Sequence, residues 1–194
     1  KVMGAAPYGK PLYVDKILSE LVDLRDDGSF RLNMKYFAYD YGLTMTNGRF
    51  AAPFGQPVRD MEGKMEAFHW DMAASIQKVT EEIVLRMVRD LHRRTGMRDL
   101  CMAGGVALNC VANGKILKER IFDDLWIQPA AGDAGGALGS ALFVHHQLLD
   151  APRHVDNRRD LQSATLLGPS FSVQDIEAFI SSKGIVARRF DDPA

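Results

Sequence analysis

No G-x-x-x-x-G-K-[ST] loop and no G-x-G-x-x-G turn occurs in the 194 residues, so the commonest NTPase and NAD readings lose their main support. Cysteine is nearly missing: Cys101 and Cys110 make no disulfide framework, which fits a reducing compartment with the cytoplasm as the default. Neither charge is in excess. Lys plus Arg number 24 against 25 Asp plus Glu, a formal net charge of −1, and this balance argues for neither a nucleic-acid nor a membrane partner. No apolar run nears the roughly 20 residues that span a bilayer, and no signal-peptide pattern opens the chain. An initiating methionine is lacking too, since the chain enters a glycine-proline segment at Lys1, and a piece of a longer protein is expected.

What is present is an ordinary hydrophobic content of 46%, enough for a sizeable core, and one stretch, Leu100 to Leu142, around which the rest is organised. Asp99-Leu100-Cys101-Met102-Ala103 is a brief apolar run ending at Gly104-Gly105, after which Leu108, Val111, Ala112, Ile116 and Leu117 recur at helical spacing as far as Arg120. Leu125-Trp126-Ile127-Gln128 is a second run, ending in Pro129, and a small-residue helix follows from Ala134 to Leu149. Two strands joined by a helix form a βαβ unit, which makes the strands parallel. Both glycine turns, Ala103-Gly104-Gly105-Val106 and Ala131-Gly132-Asp133-Ala134-Gly135-Gly136, then lie at the carboxyl ends of neighbouring strands.

Open α/β sheets bind ligands at that edge, and two helix N-termini with free N–H groups suit a phosphate chain. Asp133 beside phosphates requires a cation between them, whereas as an N-cap of the following helix it requires none; spacing alone leaves both roles open. Gly135 and Gly139 could likewise serve only close packing. Cys101 falls on an expected buried strand, and Cys110, near a helix N-terminus, reads as a small packed residue because no base lies near it in sequence.

Along the rest of the chain, residues 1–11 form a turn-rich segment and Val14 to Leu24 an amphipathic helix. Ser29 to Tyr39 alternates as a strand, and residues 41–63 make an extended loop broken by glycine and proline. Glu66 to Thr95 is the clearest helix. Its apolar stripe is Met72, Ile76, Val79, Ile83, Val84, Met87, Val88 and Leu91, with Lys78, Glu81, Arg86, Arg89 and Arg94 outside it, a Glu82–Arg86 pair one turn apart, and Gly96 as the stop. His69, His92, His145 and His146 have no partner at metal-ligand spacing and read as structural. A polar, charged run over residues 150–160 is a linker. Beyond it come a helix from Ser172 to Ser182, capped by Ser172 with Asp175, and a strand-like Ile185 to Phe190. One helix and one strand cannot bury a core, so a second domain is expected to start here.

Four motifs in order, Val2-Met3-Gly4-Ala5-Ala6-Pro7-Tyr8-Gly9, Phe68 to Gln77, Ala103 to Cys110 and Gln128 to Ala137, resemble the nodulation-protein and antibiotic O-carbamoyltransferase family. The resemblance implies an α/β fold. Residues 1–150 would be the C-terminal part of an actin, sugar-kinase and acetate-kinase-like (ribonuclease H-like) domain, 151–165 a linker, and 166–194 the start of a second α/β domain that makes carbamoyladenylate from carbamoyl phosphate and ATP. It implies ATP and a divalent metal, iron or magnesium, with carbamoyl phosphate and a sugar or antibiotic-like hydroxyl acceptor as partners. Carried over by motif, Met3 and Gly4 line the nucleoside pocket, Gly104, Gly105 and Asn109 contact the adenosine, Gly132, Gly135 and Gly136 lie at the phosphates, and Asp133 is a metal ligand. Ala5 departs from the bulkier leucine expected there. The family's histidine ligands are expected upstream of Lys1, and no catalytic base can be named. A sugar or acid kinase of the same superfamily and a non-enzymatic ATP switch are the alternatives.

Overall fold

The computed structural model describes residues 2–60, 62–154, 162, 165 and 168–190, which fall into two compact units, Lys1–Leu149 and Asp150–Ala194. The first unit begins with α1 (Val2–Ala5), a 3-10 turn over Ala6–Tyr8, and α2 (Val14–Lys16), which runs into a π turn, Ile17–Leu21. The helix expected to reach Leu24 therefore stops at Leu21. Val22–Leu24 is instead strand β1, paired antiparallel with β2 (Phe30–Leu32). Val22-Asp23-Leu24 alternates apolar and polar, which fits a strand with one covered face and was hidden by the helical stripe of Ile17 and Leu21 just before it. β2 is also shorter than expected. Asn33 turns the chain, its side-chain amide donating to Glu20 C=O (2.8 Å) and its oxygen accepting from Lys35 N–H (3.2 Å), and pairing resumes only as a bridge between Phe37 and Thr46. Among its described residues the 41–63 loop contains one short 3-10 turn, Ala52–Phe54, as its glycines and prolines predict.

The 29-residue α3 (Ala67–Thr95), about 43 Å long, forms where its apolar stripe predicts and ends at Gly96, whose N–H donates to His92 C=O (2.8 Å). Its first half packs Val79 against Ile17, Leu21, Val22 and Tyr36; its second half packs Val84, Leu85 and Val88 against Leu100 and Ile116. One helix thus serves two hydrophobic clusters. Glu81 is not on the solvated face as expected: it is 4% exposed, on the buried four-residue row of Ala73, Gln77 and Leu85. The N-terminal segment is fastened to α3 by Lys10 N–H on Asp71 Oδ1 (2.7 Å), Tyr13 N–H on Ser75 Oγ (2.9 Å), and the Tyr8 ring against Trp70.

After α3 come β3 (Asp99–Met102), a 3-10 turn over Gly105–Leu108, α4 (Cys110–Glu119), β4 (Asp124–Ile127) and α5 (Gly135–Phe143), which passes into a π turn, Val144–Leu148. β3 and β4 are parallel, with Leu100 beside Leu125 and Cys101 beside Trp126, as the βαβ reading requires. Cys101 is exposed rather than buried, because the strand's alternation turns Leu100 into the cluster and Cys101 away from it.

The second unit contains α6 (Val173–Lys183), capped as expected: Ser172 Oγ accepts from Asp175 N–H (3.1 Å) and Asp175 Oδ2 accepts from Ser172 N–H (3.0 Å). The Ser172 hydroxyl and N–H hold the Asp175 carboxyl below its ordinary pKa. Ile185 to Phe190 forms no strand, since strand pairing needs a partner edge and the described residues of this unit supply none. Leu166, Leu167 and most of the 151–165 linker lie outside the described residues. Among the described residues no helix is long and apolar enough to cross a membrane.

Candidate functional site

The two glycine turns meet. Beyond the strands, Gln128 N–H donates to Met102 C=O (3.0 Å) and, past the end of the ladder, Gly104 N–H donates to Ala131 C=O (2.8 Å), which ties the two turns together. Gly104 has φ +98°, a conformation that side chains disfavour. A Cβ added at Gly104, Gly105 or Gly136 would meet nothing within 4 Å, so these backbones face open space.

At the start of α5, Gly135 and Gly136 donate their N–H groups to Gly132 and Asp133 C=O (3.1 Å each), closing the turn, while those of Gly132, Asp133 and Ala134 have no backbone acceptor among the described residues. These three are the donors left at the α5 N-terminus for a bound anion. Gly135 is also a packing position, where a Cβ would collide with the Ala130 carbonyl oxygen; Gly139 has open space instead. The N-cap role considered for Asp133 is not taken. The cap position is Ala134, with no side-chain cap, and the exposed Asp133 carboxylate makes no hydrogen bond among the described residues. It is free to act as one metal ligand, but among the described residues no group of three or more His, Cys, Asp or Glu converges. His69 Nδ1 accepts from Glu66 N–H (2.9 Å), His92 packs on Phe122 and bonds Met97 C=O (2.9 Å), and His145 stacks edge-on with His146.

Asn109 is the N-cap of α4, its Oδ1 accepting from Ala112 N–H (3.1 Å). The next residue, Cys110, donates its thiol to Met3 Sδ (3.8 Å), which sets Met3 beside the first turn of α4, with Gly4 exposed next to it. The structure thus joins Met3, Gly104, Gly105, Asn109 and the Ala131–Gly132 turn. It also adds residues that sequence reasoning passed over: buried Gln77 and Glu81 of α3, with Lys115 of α4. Gln77 and Asn109 exchange amide hydrogen bonds (3.1 and 2.9 Å), Gln77 also donates to Glu81 Oε1 (3.0 Å), and Lys115 Nζ pairs with Glu81 Oε2. Their signal was the four-residue spacing of Gln77 and Glu81 in register with Ala73 and Leu85.

The sequence pattern described as the carbamoyltransferase N-terminus matches residues 1–142, from α1 almost to the end of α5. The chain belongs to the carbamoyltransferase family. This carbamoyltransferase match contains every candidate site residue named above and stops before α6. An uncharacterised protein of Synechocystis sp. is 52% identical over 187 residues, 96% of this chain and 30% of that protein. Nodulation protein NolO of Bradyrhizobium diazoefficiens is 40% identical over 154 residues, 79% of this chain and 26% of that protein. Nodulation protein NolNO of Sinorhizobium fredii is 38% identical over 154 residues, again 79% of this chain, and 21% of that protein. The chain spans less than a third of the length of these relatives.

Proposed function

We propose that the chain is part of an ATP-dependent O-carbamoyltransferase, in which a carbamoyl group from carbamoyl phosphate passes through carbamoyladenylate to a hydroxyl of a sugar or antibiotic-like acceptor. In this reading the first unit belongs to an actin, sugar-kinase and acetate-kinase-like domain that holds the adenylate, and α6 opens the domain that makes it. Family membership supports carbamoyl transfer. The observation that carries the nucleotide site is the Gly104–Ala131 hydrogen bond, which sets two glycine turns and two helix starts side by side at the carboxyl ends of parallel strands.

The N–H groups of Gly132, Asp133 and Ala134 and the N-terminus of α5 would stabilise negative charge on a leaving phosphate. Asp133 would be one ligand of a divalent metal, which supplies positive charge opposite the phosphates. Met3, Gly104, Gly105 and Asn109 would line the nucleoside side. In the full-length protein given ATP, carbamoyl phosphate and candidate acceptors, AMP and pyrophosphate are expected to form only when carbamoyl phosphate is present. ADP with a phosphorylated acceptor would mean a kinase, and nucleotide binding with no turnover an ATP switch; either result sinks the proposal.

A further inference from the structure

The buried polar chain behind Asn109 does more than fill space. Glu81 is 4% exposed and Gln77 7% exposed, deep enough that each polar atom needs a partner. The Lys115 ammonium pairs with Glu81 Oε2, and a glutamate carboxylate only accepts hydrogen bonds. It therefore fixes which end of the Gln77 amide faces it: Nε2 donates one hydrogen to Glu81 Oε1 (3.0 Å) and the other to Asn109 Oδ1 (3.1 Å). Gln77 Oε1 is left to accept from Asn109 Nδ2 (2.9 Å). From the other side, Ala112 N–H also donates to Asn109 Oδ1 (3.1 Å), so two independent constraints agree on how the Asn109 amide is oriented.

Counting groups on Asn109 gives the consequence. Its oxygen has both lone pairs engaged, by Gln77 and Ala112, and one amide hydrogen is engaged by Gln77. One N–H remains. Asn109 is half-buried, in the turn at the carboxyl end of β3 and adjacent in sequence to the thiol that touches Met3.

We infer that Lys115, Glu81 and Gln77 form a polarity relay that makes Asn109 a donor-only contact, so that the site selects for a hydrogen-bond acceptor on the nucleoside, either a ring nitrogen or a ribose oxygen. The inference rests on the nucleotide reading of the same site. Gln77 and Glu81 are positioning residues. Replacing Gln77 or Glu81 frees the Asn109 amide to turn, and its oxygen then meets the ligand in part of the population. Asn109→Asp keeps the cap on Ala112 N–H and removes the donor.

The test uses the full-length protein and titration calorimetry with ATP and five analogues, in which N1, N3 or N7 is replaced by CH, or the 2′- or 3′-hydroxyl by hydrogen. In the wild type one analogue is expected to bind about five- to tenfold more weakly than ATP, the effect of one hydrogen bond. In Asn109→Asp, Gln77→Met and the volume-conserving Glu81→Gln, that ratio should fall towards one. Because the ratio is taken within each variant, a uniform loss of affinity from loosened packing leaves it unchanged, and melting curves report that loosening separately. Wild-type protein that binds ATP but discriminates against none of the analogues overturns the inference alone, as does a ratio that persists in all three variants. Wild-type protein that binds no ATP overturns the nucleotide reading, and the relay with it.

Discussion

Asp133 sits where two roles compete, cap and metal ligand, and local geometry removes the first. A capping carboxylate must accept from the second or third N–H of its helix, yet α5 starts after Ala134 and takes no side-chain cap. The turn is closed by backbone alone, through Gly135 and Gly136, so the carboxylate contributes little to holding it. Asp133→Asn in the full-length protein is therefore expected to leave the melting temperature within about 1 °C, the range of an exposed substitution. Metal-dependent ATP binding should weaken at least tenfold by calorimetry. An unchanged metal dependence would leave Asp133 as a surface residue. Gly135, two positions on, is held by a different constraint, the Ala130 carbonyl in the space its Cβ would fill.

At the scale of elements, α3 organises the first unit, and its exposed face carries an ion pair whose pH dependence can be stated. Arg86 Nε donates to Glu82 Oε1 (2.8 Å), and this bond holds the Glu82 carboxyl below its ordinary value. A depressed carboxyl stabilises the fold above its unfolded pKa, about 4.5, and loses that contribution as pH falls through the lower folded value. Both side chains are about a third exposed, so the pair is worth only about 0.3–0.5 kcal/mol. Arg86→Met should lower the melting temperature by about 1–2 °C at pH 7, and the difference from wild type should shrink by pH 3. α3 itself was legible in sequence because its repeat runs for eight turns, as were the parallel strands and the Ser172–Asp175 cap. The β1–β2 hairpin was not: its strands are three residues each, too short for a period to stand out, and Val22 continues the apolar spacing of the helix before it. Gln77 and Glu81 were missed for another reason. Helical periodicity marks apolar residues as buried, and burial of a polar pair depends on partners from α4 that lie more than 30 residues away.

On the scale of the whole molecule, much apolar surface is left uncovered. Trp126 on β4 is 50% exposed and Phe143 at the end of α5 65%, with Leu138, Leu142, Val144, Leu148 and Leu149 also exposed, and in the second unit α6 exposes Val173, Ile176 and Phe179. Apolar surface of that extent is unusual for a free monomer. The 194-residue chain expressed alone is expected to self-associate at micromolar concentration and to enhance the fluorescence of a hydrophobic dye, by light scattering and dye titration. A monodisperse monomer that leaves the dye dark would contradict this.

The bond between Gly104 and Ala131 also bears on how the chain can vary in length. The bond joins two turns of fixed length, so one residue inserted between Met102 and Gly104 or between Gln128 and Ala131 would carry the donor or the acceptor out of place and pull the two helix starts out of step. Residues 41–63 are under no such constraint and can lengthen at little entropic cost. Length should therefore be nearly invariant between β3 and α4 and between β4 and α5, and free to drift in the loop ahead of α3.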